Sequence, residues 1–490
     1  MHAGLVVTAE TGKNRRFKAT NFYAVKYYKV TTVGCKVAQF EGQQAQTLLE
    51  QFGLVDAGSG QPDLCVINTC AVTARATAKT RQTLRALART YPQAKLAILG
   101  CYASLAHDSI RDLPQLALLA DHRRGILSTL RRFLAQNIQV HRPAGETLSN
   151  ITSCASTYIE TDSEQNVKDI LGSVPIHNYR GRYRAILKVQ DGCDAHCTYC
   201  LIPKLRPKPC WLPTPQVLAQ AEQYIRTGHQ EIILSGIFLG GYGKPTARRS
   251  RGDQPGEPLA ELVRTILALP DLGRLRLSSL EPGDLTPRLL DVIADSDKFA
   301  NHLHLPLQSG SDVVLRRMGR QYSTDQYRQT LDRVRTRLPD AAVTTDIIVG
   351  FPGETQSDFK QTLHLAREVG FAKIHIFPFS PRQGTPAYRW HAERPLPEVV
   401  KRRLQQLQEL EIALALAFRQ RFLGRAVRVL VEKTFRREEN TYCLGRADPY
   451  FPVRFAGNSD LDNQLVHVRI EQVNPTRLAV SGSLEAVVCA

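Results

Sequence analysis

The chain has 490 residues, 43% of them hydrophobic, enough for about three domains of roughly 150 residues with cores of their own, which excludes a short disulfide-stapled or disordered chain. Lysine and arginine number 64 against 46 acidic residues, a formal charge of +18 that favours a polyanionic partner such as nucleic acid without naming one. Eleven cysteines, sparse and odd in number, suit a reducing compartment such as the cytoplasm rather than a disulfide scaffold, and no apolar run approaches the roughly 18 residues of a membrane span.

The first predicted element is a basic, disordered arm over residues 1–27, where Lys13, Arg15, Arg16, Lys18 and Lys26 face a lone Glu10 without the apolar core of a secretory signal. A transit peptide is the alternative, opposed by Glu10 and the low serine content. From residue 28, strands and helices alternate: YKVTTVGC, a helix near 41–52, DLCVINTC, a helix over 73–90, and AKLAILGC. This β-α-β-α-β spacing predicts a parallel sheet in an N-terminal domain of residues 28–140. Each strand runs into a cysteine, so Cys35, Cys70 and Cys101 belong at the sheet's C-terminal edge, where open α/β folds gather ligands.

Residues 141–178 turn polar and read as a linker or insertion. Over 179–418 six β-like runs recur between helices: AILKVQ, EIILSG, RLRLSS, HLHLPL, TTDIIVG and IHIFPF. They predict an incomplete (β/α)6 barrel with its chemistry at the strands' C-terminal ends, which carry Cys193, Gly236, Glu281, Gln308, Gly350 and Ser380. A helix over 397–418 leads to short strands within 419–490, read as a small antiparallel β-barrel. There Phe435, Arg436, Arg437, Tyr442, Arg446, Tyr450, Phe451 and Arg454 could stack bases and meet phosphates, or form a core with a basic rim.

The densest chemical signal is DGCDAHCTYC, which spaces Cys193, Cys197 and Cys200 as C-x-x-x-C-x-x-C. Three thiolates on one tight loop can hold three irons of a 4Fe-4S cluster and leave the fourth open to an outside ligand. Zinc is the plainer reading, but a structural zinc site closes with four ligands, and His196 or Cys210 would have to serve as the fourth. Gly236, Glu281, Gln308 and Asp346 are candidate cofactor contacts, each with a structural role as its alternative. His302 and His304 alternate along one strand and are weighed for catalysis. GGYG and GFPGE lack a following Lys-Ser or Lys-Thr, which argues against a triphosphate loop. Cys65, Cys154, Cys210, Cys443 and Cys489 read as buried or inert thiols.

The cysteine loop resembles that of the radical S-adenosylmethionine superfamily, which implies that the open iron binds the cofactor's methionine and that Tyr199 lies near its adenine. VGCKVAQFE, NTCAVT, LGCYA, SGIFLGGYG, RLSSLEP, HLHLPLQSGSDVVLRRMGRQY, DIIVGFPGET and FSPRQGTPA extend the resemblance over residues 28–490 to the methylthiotransferases. GCKV, RLSSLEP, LHLPLQSGS and FSPRQGTPA are most similar to the tRNA threonylcarbamoyladenosine subgroup. The resemblance implies two 4Fe-4S clusters, one on Cys193, Cys197 and Cys200 and one on Cys35, Cys70 and Cys101, with S-adenosyl-L-methionine, so that all six are expected to be catalytic and metal-binding. It implies that the last domain is a TRAM domain and that the product is a methylthio group on carbon 2 of the modified adenosine beside the tRNA anticodon. An electron donor and a sulfur source of unknown identity are then required, and the chain is expected to be a cytoplasmic monomer without a membrane.

The alternatives are the isopentenyladenosine tRNA enzyme, the enzyme modifying an aspartate of a ribosomal protein and, from another class, a non-catalytic iron–sulfur RNA-binding protein. Two departures from the family pattern bear on loop contacts and not on iron binding. Ala38 stands where asparagine is usual, and LRPKPCW, from Leu205 to Trp211, replaces an Arg-Gly-rich segment, with Pro207 and Pro209 stiffening it.

Overall fold

The computed structural model describes residues 25–105, 113–122, 125–137, 183–248, 257–476 and 478–488, together with Ile110, residues 174–177 and Tyr179. Residues 1–24 of the expected arm, most of the expected linker, Cys154 and Cys489 lie outside the described residues. Among the described residues no helix is long and apolar enough to cross a membrane.

Five parallel strands form the first sheet: β1 (Tyr27–Val33), β2 (Val55–Asp56), β3 (Leu64–Thr69), β4 (Lys95–Gly100) and β5 (Leu116–Ala120), in the order β2-β1-β3-β4-β5. β3 is buried at every position and β4 at all but Lys95, as central strands covered on both faces must be. Helices Lys36–Gln51, Ala74–Thr90 and Ile126–Asn137 supply the cover. The expected β-α-β-α-β series is present, and the two edge strands and the third helix add to it. β1 begins one residue inside the stretch read as the arm, tied down by the backbone N–H groups of Lys26 and Tyr27, which donate to Asp63 at 2.9 and 2.8 Å. The first helix starts five residues earlier than the periodicity predicts, directly after Cys35 in its extended N-cap position.

The central unit holds β6 (Arg184–Asp191), β7 (Cys210–Trp211), β8 (Glu231–Gly236), β9 (Arg274–Leu277), β10 (His302–His304), β11 (Ala342–Val349) and β12 (Lys373–Pro378). All six expected runs are strands, arranged as β7-β6-β8-β9 and β10-β11-β12, with a parallel bridge from Leu275 to Phe299 between the two sheets. Successive strand side chains point to opposite faces. Leu187, Val189, Ile232, Leu234, Leu275, Leu277, Leu303 and Ile347 join one apolar core with residues of the covering helices. The other face is polar: Lys188, Gln190, Ser235, Arg276, His302, His304, Thr344 and Asp346 line the inside of the open barrel.

Helix Pro397–Gln420 leads to β13 (Ala426–Arg437), β14 (Asn440–Ala447), β15 (Pro452–Ala456), β16 (Leu465–Val473) and β17 (Val480–Val487), a closed barrel in the order β13-β14-β15-β17-β16. Four pairings are antiparallel and β15–β17 is parallel, so the small barrel is antiparallel except at that seam. It docks on the N-terminal ends of the central strands. There Arg274 donates to Asp448 at 2.6 Å, Arg276 donates to the Asp448 carbonyl at 3.0 Å, and Arg184 pairs with Glu432 at 2.5 Å.

Candidate active site

β6 hands over to the cysteine loop through Gly192, whose φ of +76° and whose approach to the Lys208 carbonyl, 2.0 Å from where a Cβ would stand, admit glycine alone. The Cys193 N–H donates to the Arg206 carbonyl at 3.0 Å. Thr198 pins the far side, its N–H donating to the Met318 carbonyl and its hydroxyl to the Arg317 carbonyl, both at 2.9 Å. The Cys200 N–H closes a turn on Cys197 at 3.1 Å, and the Ile202 N–H donates to the Cys200 sulfur at 3.4 Å. Arg320 bridges this loop to the segment after β9, donating to the Cys197 sulfur at 3.3 Å and pairing with Glu281 at 2.7 Å.

Burial pushes the Cys193 and Cys200 thiols up to about 12, with mutual repulsion among the three sulfurs adding to it. Burial also raises Cys197, although Arg320 opposes the rise. Three crowded thiols that resist ionisation are stable as thiolates only against a cationic centre, which is the donor set an iron–sulfur cluster requires.

The N-terminal trio is built on three strand ends: Cys35 after β1, Cys70 after β3 and Cys101 after β4. Cys70 and Cys101 are buried and Cys35 is exposed. A hydrogen bond from the Cys70 thiol draws Cys35 down to about 6 against its partial desolvation, and burial raises Cys101. Gly34 allows the approach, since a Cβ there would stand 2.8 Å from that of Ala38 and 2.9 Å from that of Cys70. The departure at Ala38 is therefore a small residue in a tight place, its carbonyl accepting from the Asn68 amide at 2.6 Å.

The ligating groups that gather within 4.8 Å of one another among the described residues are His304, Asp346 and His375 in one set and Glu41, His122 and Asp191 in another, with no cysteine in either.

Arg206 joins the two loops. Its backbone holds Cys193, while its guanidinium donates to both carboxylate oxygens of Glu41 at 2.9 and 3.0 Å, to Asp191 at 2.8 and 2.7 Å, and reaches Cys101. Lys188 completes the buried set at 2.8 Å from Glu41 and 2.6 Å from Asp191. Leu201 and Leu205 share an apolar cluster with Cys101, Ala71 and Tyr102, so the loops bearing the two trios pack directly together. Arg382, after β12, donates to the Ala71 carbonyl at 2.8 Å, and the Ala74 N–H donates to Ser380 at 2.9 Å.

The remaining expected residues divide by placement. Glu281 reaches the cysteine loop through Arg320. Tyr199 packs edge-on to Phe351 with ring centres 6.3 Å apart. Gly236 lies against Gln190, 2.9 Å from its Oε1 to an added Cβ, and Gln190 in turn donates to the Gly192 carbonyl at 2.8 Å, so this glycine braces the loop. Gln308 adopts a φ of +65°, a strained conformation of the kind that clusters at functional sites. Asp346 lies 3.4 Å from His304 within the barrel. In the last domain Phe451 is core and Tyr450 turns toward the central barrel, which leaves Phe435, Arg436, Arg437, Tyr442 and Arg454 on the outer face. Sequence reasoning missed Arg206, Arg320, Lys188 and Glu41 as site residues, although each stands inside a quoted segment: LRPKPCW, MGRQY, AILKVQ and VGCKVAQFE.

Residues 187–366 match the family model described as the Radical SAM superfamily, and residues 27–120 match the one described as Uncharacterized protein family UPF0004. A threonylcarbamoyladenosine tRNA methylthiotransferase, MtaB, of Bacillus subtilis is 33% identical over 445 residues, covering 90% of this chain and 92% of that protein. A tRNA-2-methylthio-N(6)-dimethylallyladenosine synthase of Corynebacterium glutamicum is 30% identical over 501 residues, covering 99% and 89%. The solved structure of TsrM, a radical S-adenosylmethionine methyltransferase from Kitasatospora setae, superposes with a TM-score of 0.52 at 13% identity over 74% of each chain, a likeness of fold. A radical S-adenosylmethionine domain implies one 4Fe-4S cluster and S-adenosylmethionine, and with relatives this similar over nearly the whole length the chain belongs to the radical S-adenosylmethionine methylthiotransferases.

Proposed function

We propose that this enzyme adds a methylthio group to carbon 2 of N6-threonylcarbamoyladenosine beside the anticodon of tRNA, in the cytoplasm. The observation that carries the reading is the pairing of two cysteine trios on contacting loops, tied through Arg206. Cys193, Cys197 and Cys200 would hold one 4Fe-4S cluster and Cys35, Cys70 and Cys101 a second. Bound there with S-adenosylmethionine, these groups supply the radical chemistry and the sulfur needed to replace an unactivated C–H bond, which no side chain of ordinary pKa can do.

The chain's own residues do the positioning. Arg320 sets a positive charge against the Cys197 sulfur and is itself oriented by Glu281. Arg206 and Lys188 hold the strand ends of both domains in one arrangement without leaving a buried carboxylate uncompensated. The exposed Arg436, Arg437 and Arg454 beside Phe435 and Tyr442 offer an outer face for RNA. The domain division 28–140, 179–418 and 419–490 goes with this reading, around the N-terminal sheet, the two central sheets and the closed barrel. Mass spectrometry of tRNA nucleosides from cells with and without the gene tests it: the 2-methylthio derivative of threonylcarbamoyladenosine should disappear on deletion. Loss of the methylthio isopentenyl nucleoside instead, or no change in any nucleoside, would sink the assignment.

A further inference from the structure

Inside the open barrel lies a polar cluster that the cysteine loops do not use. His304, Asp346 and His375 come from three adjacent strands and bring their ligating atoms within 4.8 Å of one another, each half-buried. Thr344 Oγ1 stands 2.9 Å from both His302 Nε2 and His304 Nδ1, leaving His304 Nε2 toward Asp346 at 3.4 Å. His375 lies with its ring centre 5.7 Å from that of His304. Tyr450, held at a φ of +68° in the last domain, floors the cluster: its ring stacks on His302 at 4.3 Å, with the guanidinium groups of Arg276 and Arg446 at 4.9 and 5.0 Å.

Lys36 adds a positive charge that reaches His302, His375 and Tyr450. It follows Cys35 directly, is half-buried, and makes no ion pair among the described residues. Its ammonium is near enough to His302 and His375 to disfavour protonation of both, alongside their burial. Two imidazoles and a carboxylate would suit a divalent cation, but the Lys36 ammonium, whose charge reaches His375, opposes one. The cluster suits instead a ligand that is anionic at one end and carries hydrogen-bond donors along its length.

We propose that Lys36, His304, Asp346 and His375 form the subsite for the threonylcarbamoyl arm of the substrate adenosine, an inference that rests on the function proposed above. That arm ends in a carboxylate and a hydroxyl and carries urea N–H groups, whereas a dimethylallyl arm has none of these. Lys36 pairs with the carboxylate, Asp346 accepts from the hydroxyl or a urea N–H, and the two imidazoles donate to the remaining oxygens. Charge-assisted bonds of this kind are the strong ones, and a pocket built from polar groups rejects an analogue that leaves them unpaired.

The test is binding of the reconstituted full-length protein, without S-adenosylmethionine, to anticodon stem-loops carrying threonylcarbamoyladenosine, isopentenyladenosine or plain adenosine. The wild type should prefer the first by about tenfold or more, the range a charged hydrogen bond spans. Lys36→Gln and, independently, His375→Gln should erase most of that preference while iron content and binding to the adenosine stem-loop stay at the wild-type level. A preference that survives both substitutions overturns the subsite and leaves the proposed function standing. A wild type with no preference overturns the substrate assignment itself. One equivalent of zinc or manganese per chain, lost in His304→Gln, would overturn the subsite in favour of a metal site.

Discussion

Arg206 and Glu41, 165 residues apart in sequence, meet through two parallel N–H···O bonds in a fully buried pair. Glu41 stands on the helix that Cys35 starts, and Arg206 ends the segment that carries Cys193, Cys197 and Cys200. One ion pair therefore fixes the register between the N-terminal sheet and the central barrel at the point where both cysteine trios lie. Burial alone would raise the Glu41 carboxyl, and Arg206, Lys188 and His122 override it and hold it well below the usual carboxylate range.

Removing one partner of such a pair strands the other. Arg206→Met should destabilise the cluster-free protein by about 3–5 kcal/mol, because Glu41 and Asp191 are left with one cation, Lys188, and the uncharged His122 beside them. Urea unfolding followed by circular dichroism measures this. A change within about 0.5 kcal/mol, the scale of an ordinary surface substitution, would mean that the pair does not form in solution.

The junction with the last domain has a pH signature. Burial opposes ionisation of Glu231, but Arg274, Arg276 and Arg184 more than offset it and keep the carboxyl well below its ordinary value of 4.5. A depressed folded value means that the stabilisation is complete above the unfolded pKa and is lost as pH falls through the folded one. Thermal stability should therefore decline on acidification below about pH 4.5, and Glu231→Gln should be less stable at pH 7 with a shallower acid decline. Parallel acid limbs for the two proteins would contradict this.

The two trios should separate by function. Anaerobic reconstitution of the wild type should load about eight irons per chain, and a value near four would remove the second site. Cys193→Ala should abolish release of 5′-deoxyadenosine. Cys70→Ala should retain that release and lose the methylthio product, so equal loss of both would show that the trios do not have distinct roles.

The parts of this fold visible in the sequence are those with short-range causes. All six central strands appear where short β-like runs stand between helices: RLRLSS and HLHLPL alternate strictly, while EIILSG and TTDIIVG carry short apolar runs. β2, with two residues, carries no period at all, and LALLA in β5 is as consistent with a buried helix turn as with a strand. Cys193, Cys197 and Cys200 share one loop and were legible together. Arg206–Glu41 and Arg274–Asp448 were not, because nothing local marks which charge meets which across more than 160 residues of chain. Gly236 was legible as special but for another reason: the close neighbour it admits is Gln190.

Arg320 gives the most direct test of how side chains tune the cysteine loop. Its guanidinium serves two partners at once, the Cys197 sulfur and Glu281, which a planar fork can do and a single ammonium cannot. Groups that hydrogen-bond to metal ligands typically change metal affinity by about 10–100-fold when removed. In reconstituted protein, Arg320→Met should release iron from the Cys193, Cys197 and Cys200 loop to a ferrous chelator faster by about that factor, with Arg320→Lys between it and the wild type. Performing the release in the Cys70→Ala background isolates this loop, and the unfolding midpoint of each variant separates local loosening from general destabilisation. Iron release at the wild-type rate in Arg320→Met would show that the sulfur contact is incidental.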